Sequence, residues 1–324
     1  MEEKLADIVC EKMNASFITK IETIQTLWSG YGEIKRCHLE EGQSSSVIIK
    51  HIQFPGHSNH PKGWNTSLSH QRKLKSYEVE RIWYNEYISI SDNHCKIPHC
   101  HYAASIDGGV LIILEDLNAS GFVLRITPDS ITLNHAKSCL SWLANFHARF
   151  LGIEPNGLWE TGTYWHLKTR PDELSRMQNI PLKNVADSID DKLNTASYQT
   201  IVHGDAKLAN FCFSKNERVA AVDFQYVGKG CGMKDVAYFI SSCFKEDQCE
   251  KYEVELLNHY FSVLERGLDD SVNFRLLKEE WYDLYKYAWA DFYRFLDGWS
   301  PNHWKMHDYS LKLTNQVIQE MKTQ

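Results

Sequence analysis

Between Ile201 and Gln225 the chain reads IVHGDAKLANFCFSKNERVAAVDFQ. Four residues stand at fixed offsets in one window, His203, Asp205, Lys207 and Asn210, as H-G-D-x-K-x-x-N. Asp223 follows the apolar run Val219 to Val222 and opens D-F-Q. Such a set suits phosphoryl transfer. An acceptor hydroxyl must be oriented and its proton received, which Asp205 would do. Nucleotide phosphates come with divalent cations, which are hard ions that take oxygen ligands. Asn210 and Asp223 would supply those oxygens. Lys207, two residues beyond Asp205, would bring an ammonium to the moving phosphoryl group. Little covalent chemistry is left for the protein, so positioning and charge neutralisation carry such catalysis.

This order of residues is the pattern of a protein-kinase-type catalytic loop followed by its metal-binding aspartate. HGDAKLANF followed by AVDFQ resembles the aminoglycoside phosphotransferase and choline kinase superfamily. The D-F-Q ending looks most like its ecdysteroid-kinase-like (CHK kinase-like) branch. The resemblance implies an α+β, protein-kinase-like bilobal fold, with a small lobe of antiparallel sheet plus helix and a larger, mostly helical lobe. It also implies ATP and Mg²⁺ as cofactors and a small-molecule hydroxyl acceptor. In that family His203 would organise the loop and would not be the base.

The elements that must position this motif begin at the N-terminus. Residues 3–14 can form a short helix, and Lys20–Trp28, Glu33–Glu40 and Ser46–His51 read as strands. Ser29-Gly30-Tyr31-Gly32 joins the first two. Gly30 and Gly32 would let backbone N–H groups approach a phosphate, and equally make an ordinary hairpin turn. Lys50 closes the apolar strand VIIKHI. It resembles the kinase lysine that holds the α- and β-phosphates; a lysine at a strand edge would look the same.

Residues 54–76 are rich in Pro, Gly, Ser and His and read as a long loop. Its histidines His57, His60 and His70 suit a solvated loop better than a metal set. A helix over Ser76–Ile90 follows. Tyr77, Glu80, Trp83 and Tyr84 recur there at helical spacing and look like the family's F-x-x-E-x-x-F-Y. Glu80 would brace Lys50, with Glu78 and Glu86 as competitors. His94, Cys95, His99, Cys100 and His101 crowd one stretch, but their spacing is not that of a structural zinc site, and the stretch reads as a strand. Val110–Leu114 is a buried-type strand ending in Glu115-Asp116-Leu117. This looks like the family's hinge, where backbone near Glu115 and Leu117 would bond adenine in an apolar slot. The expected division is a nucleotide-binding lobe, 1–116, and a catalytic and acceptor-binding lobe, 117–324.

Thr127 or Asp129 would cap a helix running to about Leu151, with Pro128 in its first turn. LANFHARF resembles the family's L-A-x-x-H-A segment, which implies that His147 is a packed support of the loop. Residues 152–180 look irregular, and a helix over Leu182–Ala196 leads into the loop. VGKGCGMKD, ending at Asp235, lacks the order of a P-loop. Asp235 would cap a helix over Val236–Phe244, and in the family such an Asp also braces the loop. Helices near 248–266, 273–297 and 307–321 carry many aromatics, most of which must be core. An aromatic wall with Asp291 or Asp297 would suit a quaternary ammonium, and would equally suit a steroid or another flat apolar alcohol.

Composition narrows the class. The chain has 324 residues, 43% hydrophobic and 24% charged, which is ordinary for a globular protein of two lobes. A net charge of -7 from 35 basic and 42 acidic residues argues against nucleic acid, whose binding needs a basic footprint. No apolar run approaches a membrane span, and the acidic N-terminus is unlike a signal peptide. Nine scattered cysteines without a C-x-x-C pair suit a reducing, cytoplasmic setting. The expected activity is an ATP-dependent small-molecule kinase. The alternative is a pseudokinase, a nucleotide-binding module that acts through partners.

Overall fold

The computed structural model describes residues 3–27, 30–54, 67–90, 94–106 and 108–323. Ser29, His57 and His60 lie outside them, as does the end of the strand expected to reach Trp28. The contacts divide the chain into two units. The first comprises the described parts of Met1–Ser91, together with Lys96–Leu124 and Cys212–Gln225. The second comprises Arg125–Phe211 and the described residues from Tyr226 onward, with His94 and Cys95. The expected break at residue 116 therefore differs from this partition, which runs to Leu124 and adds a distant hairpin to the N-terminal unit.

In the first unit, α1 (Glu3–Met13) precedes five strands: β1 (Phe17–Thr26), β2 (Gly32–Glu40), β3 (Ser46–Gln53), β4 (Cys100–Ile106) and β5 (Gly109–Glu115). They form one antiparallel sheet in the order β1-β2-β3-β5-β4. Successive side chains of a strand point to opposite faces. In β3, Val47 and Ile49 therefore join Leu5, Val9 and Met13 of α1 in one core, while Lys50 points to the other face. Helix α2 (Ser67–Ile82) continues through a π-helical turn, Trp83–Tyr87, and a 3₁₀ turn, Ile88–Ile90.

Helix α2 corrects the sequence reading of 54–76 as loop, since residues 67–75 are helical. LSHQRKLK is polar because it is exposed or half-buried helix; Leu, Gln, Arg and Lys are good helix formers whatever their polarity. His70 belongs to this helix and hydrogen-bonds the hydroxyl of Tyr31.

The second unit contains α3 (Leu133–Arg149), the short helices α4 (Pro171–Arg176), α5 (Ile180–Lys183) and α6 (Ala186–Asn194), and strand β6 (Thr200–Val202). In chain order the hairpin β7 (Phe211–Phe213) and β8 (Val219–Ala221) follows, which from Cys212 on belongs to the first unit, then β9 (Gly228–Gly230) of the second unit, which pairs with β6. Four helices close the chain: α7 (Met233–Cys243), α8 (Glu246–Gly267), α9 (Phe274–Trp299) and α10 (Asp308–Thr323). The long α9 packs against α4, α6, α7 and α10, and α3 against α8. Trp281, Tyr287 and Trp289 of α9 are fully buried.

Two caps differ from expectation. Helix α3 is capped by Thr132, whose hydroxyl accepts from the His135 N–H, and not by Thr127 or Asp129. Thr127 is spent on a turn of its own, accepting the N–H groups of Ser130 and Ile131. Asp235 is not a cap either. It sits inside the first turn of α7 and turns its carboxylate to the loop before it.

Candidate active site

In the first unit Lys50 is almost fully buried and meets two carboxylates. Its ammonium lies 2.9 Å from Glu80 Oε1, 2.6 Å from Glu80 Oε2 and 3.2 Å from Asp223 Oδ1. Burial opposes the charged form, yet Glu80 and Asp223 outweigh it and raise the lysine's pKa. Of the three candidate partners only Glu80 reaches Lys50. Glu78 pairs with Arg81 at 2.6 Å, and Glu86 is exposed on the next turn.

Backbone pairing brings Asp223 here. Ala221 N–H donates to the Lys96 carbonyl, and Leu124 and Phe213 exchange two backbone hydrogen bonds. Asp223 has φ 71°, a left-handed backbone that costs a non-glycine residue free energy and persists only when its surroundings over-determine it. Two neighbours do so. The Phe224 ring stacks on Trp83 with centroids 4.9 Å apart. The Gln225 amide donates to Asp223 Oδ1 at 2.8 Å, while its carbonyl accepts from Lys73 at 3.1 Å and Ser76 at 3.3 Å. Gln225 thus ties the aspartate to α2, a role that sequence reasoning missed. Its position directly after D-F was the available signal.

Gly30 and Gly32 lie in the β1–β2 turn, with φ 76° and 118°. A Cβ on Gly32 would stand 2.0 Å from the His51 carbonyl oxygen, so the close approach of β3 already requires glycine there. Tyr31 between them is buried and packs on Tyr77. At the expected hinge, Glu115 N–H donates to the His99 carbonyl and the Glu115 carboxylate pairs with Lys96. Leu117 lies in an apolar cluster with Phe122, Cys212 and Ala220.

The second unit holds the H-G-D loop between β6 and β7. Gly204 has φ 76°, and a Cβ there would stand 2.0 Å from the Tyr226 carbonyl oxygen. Asp235, fully buried, accepts the backbone N–H of His203 at 2.6 Å and of Gly204 at 2.9 Å. His147 Nε2 lies 3.1 Å from the same carboxylate. Since a carboxylate only accepts, Nε2 carries the proton, and Nδ1 takes the hydrogen bond of the Tyr260 hydroxyl at 2.8 Å. The His203 ring accepts the Asp205 N–H at 3.2 Å.

This frame presents Asp205 with three donors. Lys207 Nζ lies 2.8 Å and Asn210 Nδ2 3.1 Å from Oδ2, and the Tyr238 hydroxyl donates to Oδ1 at 3.2 Å. Tyr238 is the second residue missed. It lies one helical turn after Asp235, on the face that α7 turns to the loop, and burial keeps its hydroxyl protonated by raising its pKa.

The two aspartates that would have suited a quaternary ammonium are otherwise engaged. Asp291 is fully buried, pairs with Arg294 at 2.8 Å and accepts the Trp165 indole N–H at 2.9 Å. Asp297 accepts the backbone N–H groups of Gln178 and Asn179 at 2.7 and 2.9 Å. Of the histidines and cysteines near residue 100, Cys100 and His101 open β4 while His94, Cys95 and His99 precede it, and among the described residues no group of three or more His, Cys, Asp or Glu could hold a metal alone. No helix of the described residues is long and apolar enough to cross a membrane.

Comparison with known proteins agrees with this architecture. The Protein LicA homolog of Mycoplasma capricolum is 27% identical over 132 residues, spanning 41% of this chain and 54% of its own length. The chain thus spans about half the length of that relative. Among solved structures, amicoumacin kinase hAmiN aligns with 100% of this chain and 94% of its own, at 11% identity and a TM-score of 0.52. Choline kinase LicA from Streptococcus pneumoniae covers 99% of this chain and 100% of its own, at 13% identity and a TM-score of 0.51. These likenesses bear out the expected protein-kinase-like α+β fold. The model of the Ecdysteroid kinase-like family matches residues 66–152 and 161–272, more than half of the chain. The chain therefore belongs to the Ecdysteroid kinase-like family.

Proposed function

We propose that the protein is an ATP-dependent phosphotransferase that moves the γ-phosphoryl group onto a hydroxyl of a small molecule. The observation that carries this reading is a pair of side-chain constellations, one assembled within each unit. Lys50 is charged and braced by Glu80 beside Asp223, and Asp205 is held by Lys207, Asn210 and Tyr238. In this reading Lys50 binds the α- and β-phosphates, with the Gly30–Gly32 turn over them. Backbone near Glu115 and Leu117 binds adenine. Asp205 orients the acceptor hydroxyl and receives its proton, and Lys207 steadies the transferring group.

Asp223 and Asn210 are the residues that would hold Mg²⁺. The donors fit a hard cation: Asp223 keeps a partly exposed carboxylate, and Asn210 spends its amide hydrogens on Asp205, which leaves Oδ1 to face an ion. When bound, such a cation neutralises phosphate charge, with phosphate oxygens and water completing its shell. The names of the relatives, an amicoumacin kinase and a choline kinase, support the small-molecule class of acceptor. All nine cysteines are free thiols, which supports a reducing, cytoplasmic setting.

The test is a thermal-shift titration with ATP and Mg²⁺, followed by ADP release over a panel of alcohols. Binding to the native state alone raises the midpoint. A Mg²⁺-dependent shift and acceptor-stimulated ADP release, both lost in Asp223→Ala, are expected. No shift with nucleotide would sink the reading, and a shift without turnover on any acceptor would favour a pseudokinase.

A further inference from the structure

One buried cation beside the Asp205 loop has no part in the transfer scheme. Lys305, in the segment between α9 and α10, is only 8% exposed. Its ammonium lies over three rings, 4.6 Å from the centre of Tyr238, 5.3 Å from Phe292 and 5.7 Å from Trp304. Among the described residues no carboxylate pairs with it, a costly state for a buried lysine unless its site is used. The Tyr238 hydroxyl beneath it donates to Asp205, and Lys305 lies close enough to interact with both Asp205 and Lys207. Burial lowers its pKa to about 7.

A site for a cationic acceptor needs free aromatic faces or free carboxylates. Here the faces of Tyr238 and Phe292 are taken by the protein's own ammonium. Asp291 and Asp297 are consumed by Arg294, Trp165 and the Gln178–Asn179 backbone. A second cation brought to Asp205 would meet the half-exposed Lys207 and the buried Lys305, and like charges repel more strongly beside a buried group than in water.

We propose that Lys305 determines acceptor specificity by charge, admitting hydroxyl compounds that are uncharged near the reacting oxygen and rejecting amino alcohols and other cations. The proposal rests on the reading of Asp205 as the group that orients the acceptor.

Choline and 3,3-dimethylbutan-1-ol test it, since they share a shape and differ in one positive charge. Their dissociation constants are measured on the whole chain by ligand-observed NMR titration, without requiring turnover. At about pH 5.5, below the pKa of Lys305, the neutral probe is expected to bind roughly 10-fold tighter, and the preference should shrink towards about twofold at about pH 7 as the lysine sheds its proton. Lys305→Met should bring the ratio to about 1, and Lys305→Arg, which keeps the charge, should preserve the preference. Choline binding as tightly as its isostere in the unaltered protein, a ratio unmoved by Lys305→Met, or binding of neither probe overturns the proposal. A Lys305-dependent ratio without ADP release on any acceptor would sink phosphotransfer and leave charge selection standing. ADP release stimulated by choline over its isostere would do the reverse.

Discussion

Replacing Asp235 with asparagine changes one oxygen to an amide nitrogen and should disable the H-G-D loop, which we propose to be catalytic, from behind. The carboxylate accepts three hydrogen bonds, at 2.6 Å from His203 N–H, 2.9 Å from Gly204 N–H and 3.1 Å from His147 Nε2. His203 N–H and His147 share Oδ2, and Gly204 N–H takes Oδ1. An asparagine has one acceptor oxygen. With it at the Oδ2 position, its NH₂ faces the Gly204 N–H; flipped, its NH₂ faces the His203 N–H. Either way one loop donor is left buried opposite another donor. Hydrogen bonds to a charged acceptor contribute about 1.5–3 kcal/mol each, so Asp235→Asn should lose about that much stability. Asp205 adjoins Gly204, and a displacement of about 1 Å in a reacting group costs about 100-fold in rate. The expected result is a modestly lower urea midpoint, kcat for ADP release down about 100-fold, and KM for ATP little changed. A variant with a lowered midpoint but kcat within about twofold of the parent would refute loop positioning. An unchanged midpoint would refute the hydrogen-bond account itself.

Other outcomes follow from the same geometry. Glu80→Gln should cut kcat/KM for ATP at least tenfold, since it removes the closest counter-charge of buried Lys50, whereas Glu78→Gln should act only on the partly exposed Arg81 pair and stay within about twofold. Equal effects in ADP-release kinetics would dismiss the assignment of Glu80. Gly32→Ala should destabilise the first unit by more than about 1 kcal/mol in urea unfolding, because its Cβ would overlap the His51 carbonyl at φ 118°. Asp116 carries a pH signature. Burial would raise its pKa, but Arg36 and Ser46 outweigh burial and hold it below the ordinary carboxylate value. A lowered folded pKa contributes stability that is present above the unfolded value and lost as pH falls through the folded one. Asp116→Asn should therefore cost stability at neutral pH and progressively less in acid. A cost that is flat from neutral pH to about pH 3 would count against the Arg36 pair.

Much of this protein was legible along the chain because its information is local. In β3 the pleat alternates faces residue by residue, so VIIKHI alone places Lys50 opposite Val47 and Ile49. The H-G-D-x-K-x-x-N spacing brings Asp205, Lys207 and Asn210 together through one short loop. The five-residue apolar run Val110–Leu114 announced the buried strand β5. Helix α2 was half hidden because an exposed helix face reads like a loop when only polarity is counted. The cap of α3 was misplaced because Thr127 and Thr132 compete as caps, and only the turn at Ser130 decides between them.

What the sequence by itself determined is the chemistry available and the order of the elements that carry it. Which side chains remain available for a ligand was decided only by the tertiary structure. Asp291 and Asp297 look like free carboxylates for a cation until Trp165, some 126 residues away, and the Gln178–Asn179 backbone consume them. Glu78, Glu80 and Glu86 are chemically identical, and only the face of α2 that meets β3 selects Glu80. Lys305 is one of many lysines in the sequence and becomes distinctive only when rings of α7 and α9 close over it. The physical reason is common to all three: burial and partnership are set by long-range packing, and a side chain's charge acts on a ligand only through what that packing leaves unpaired.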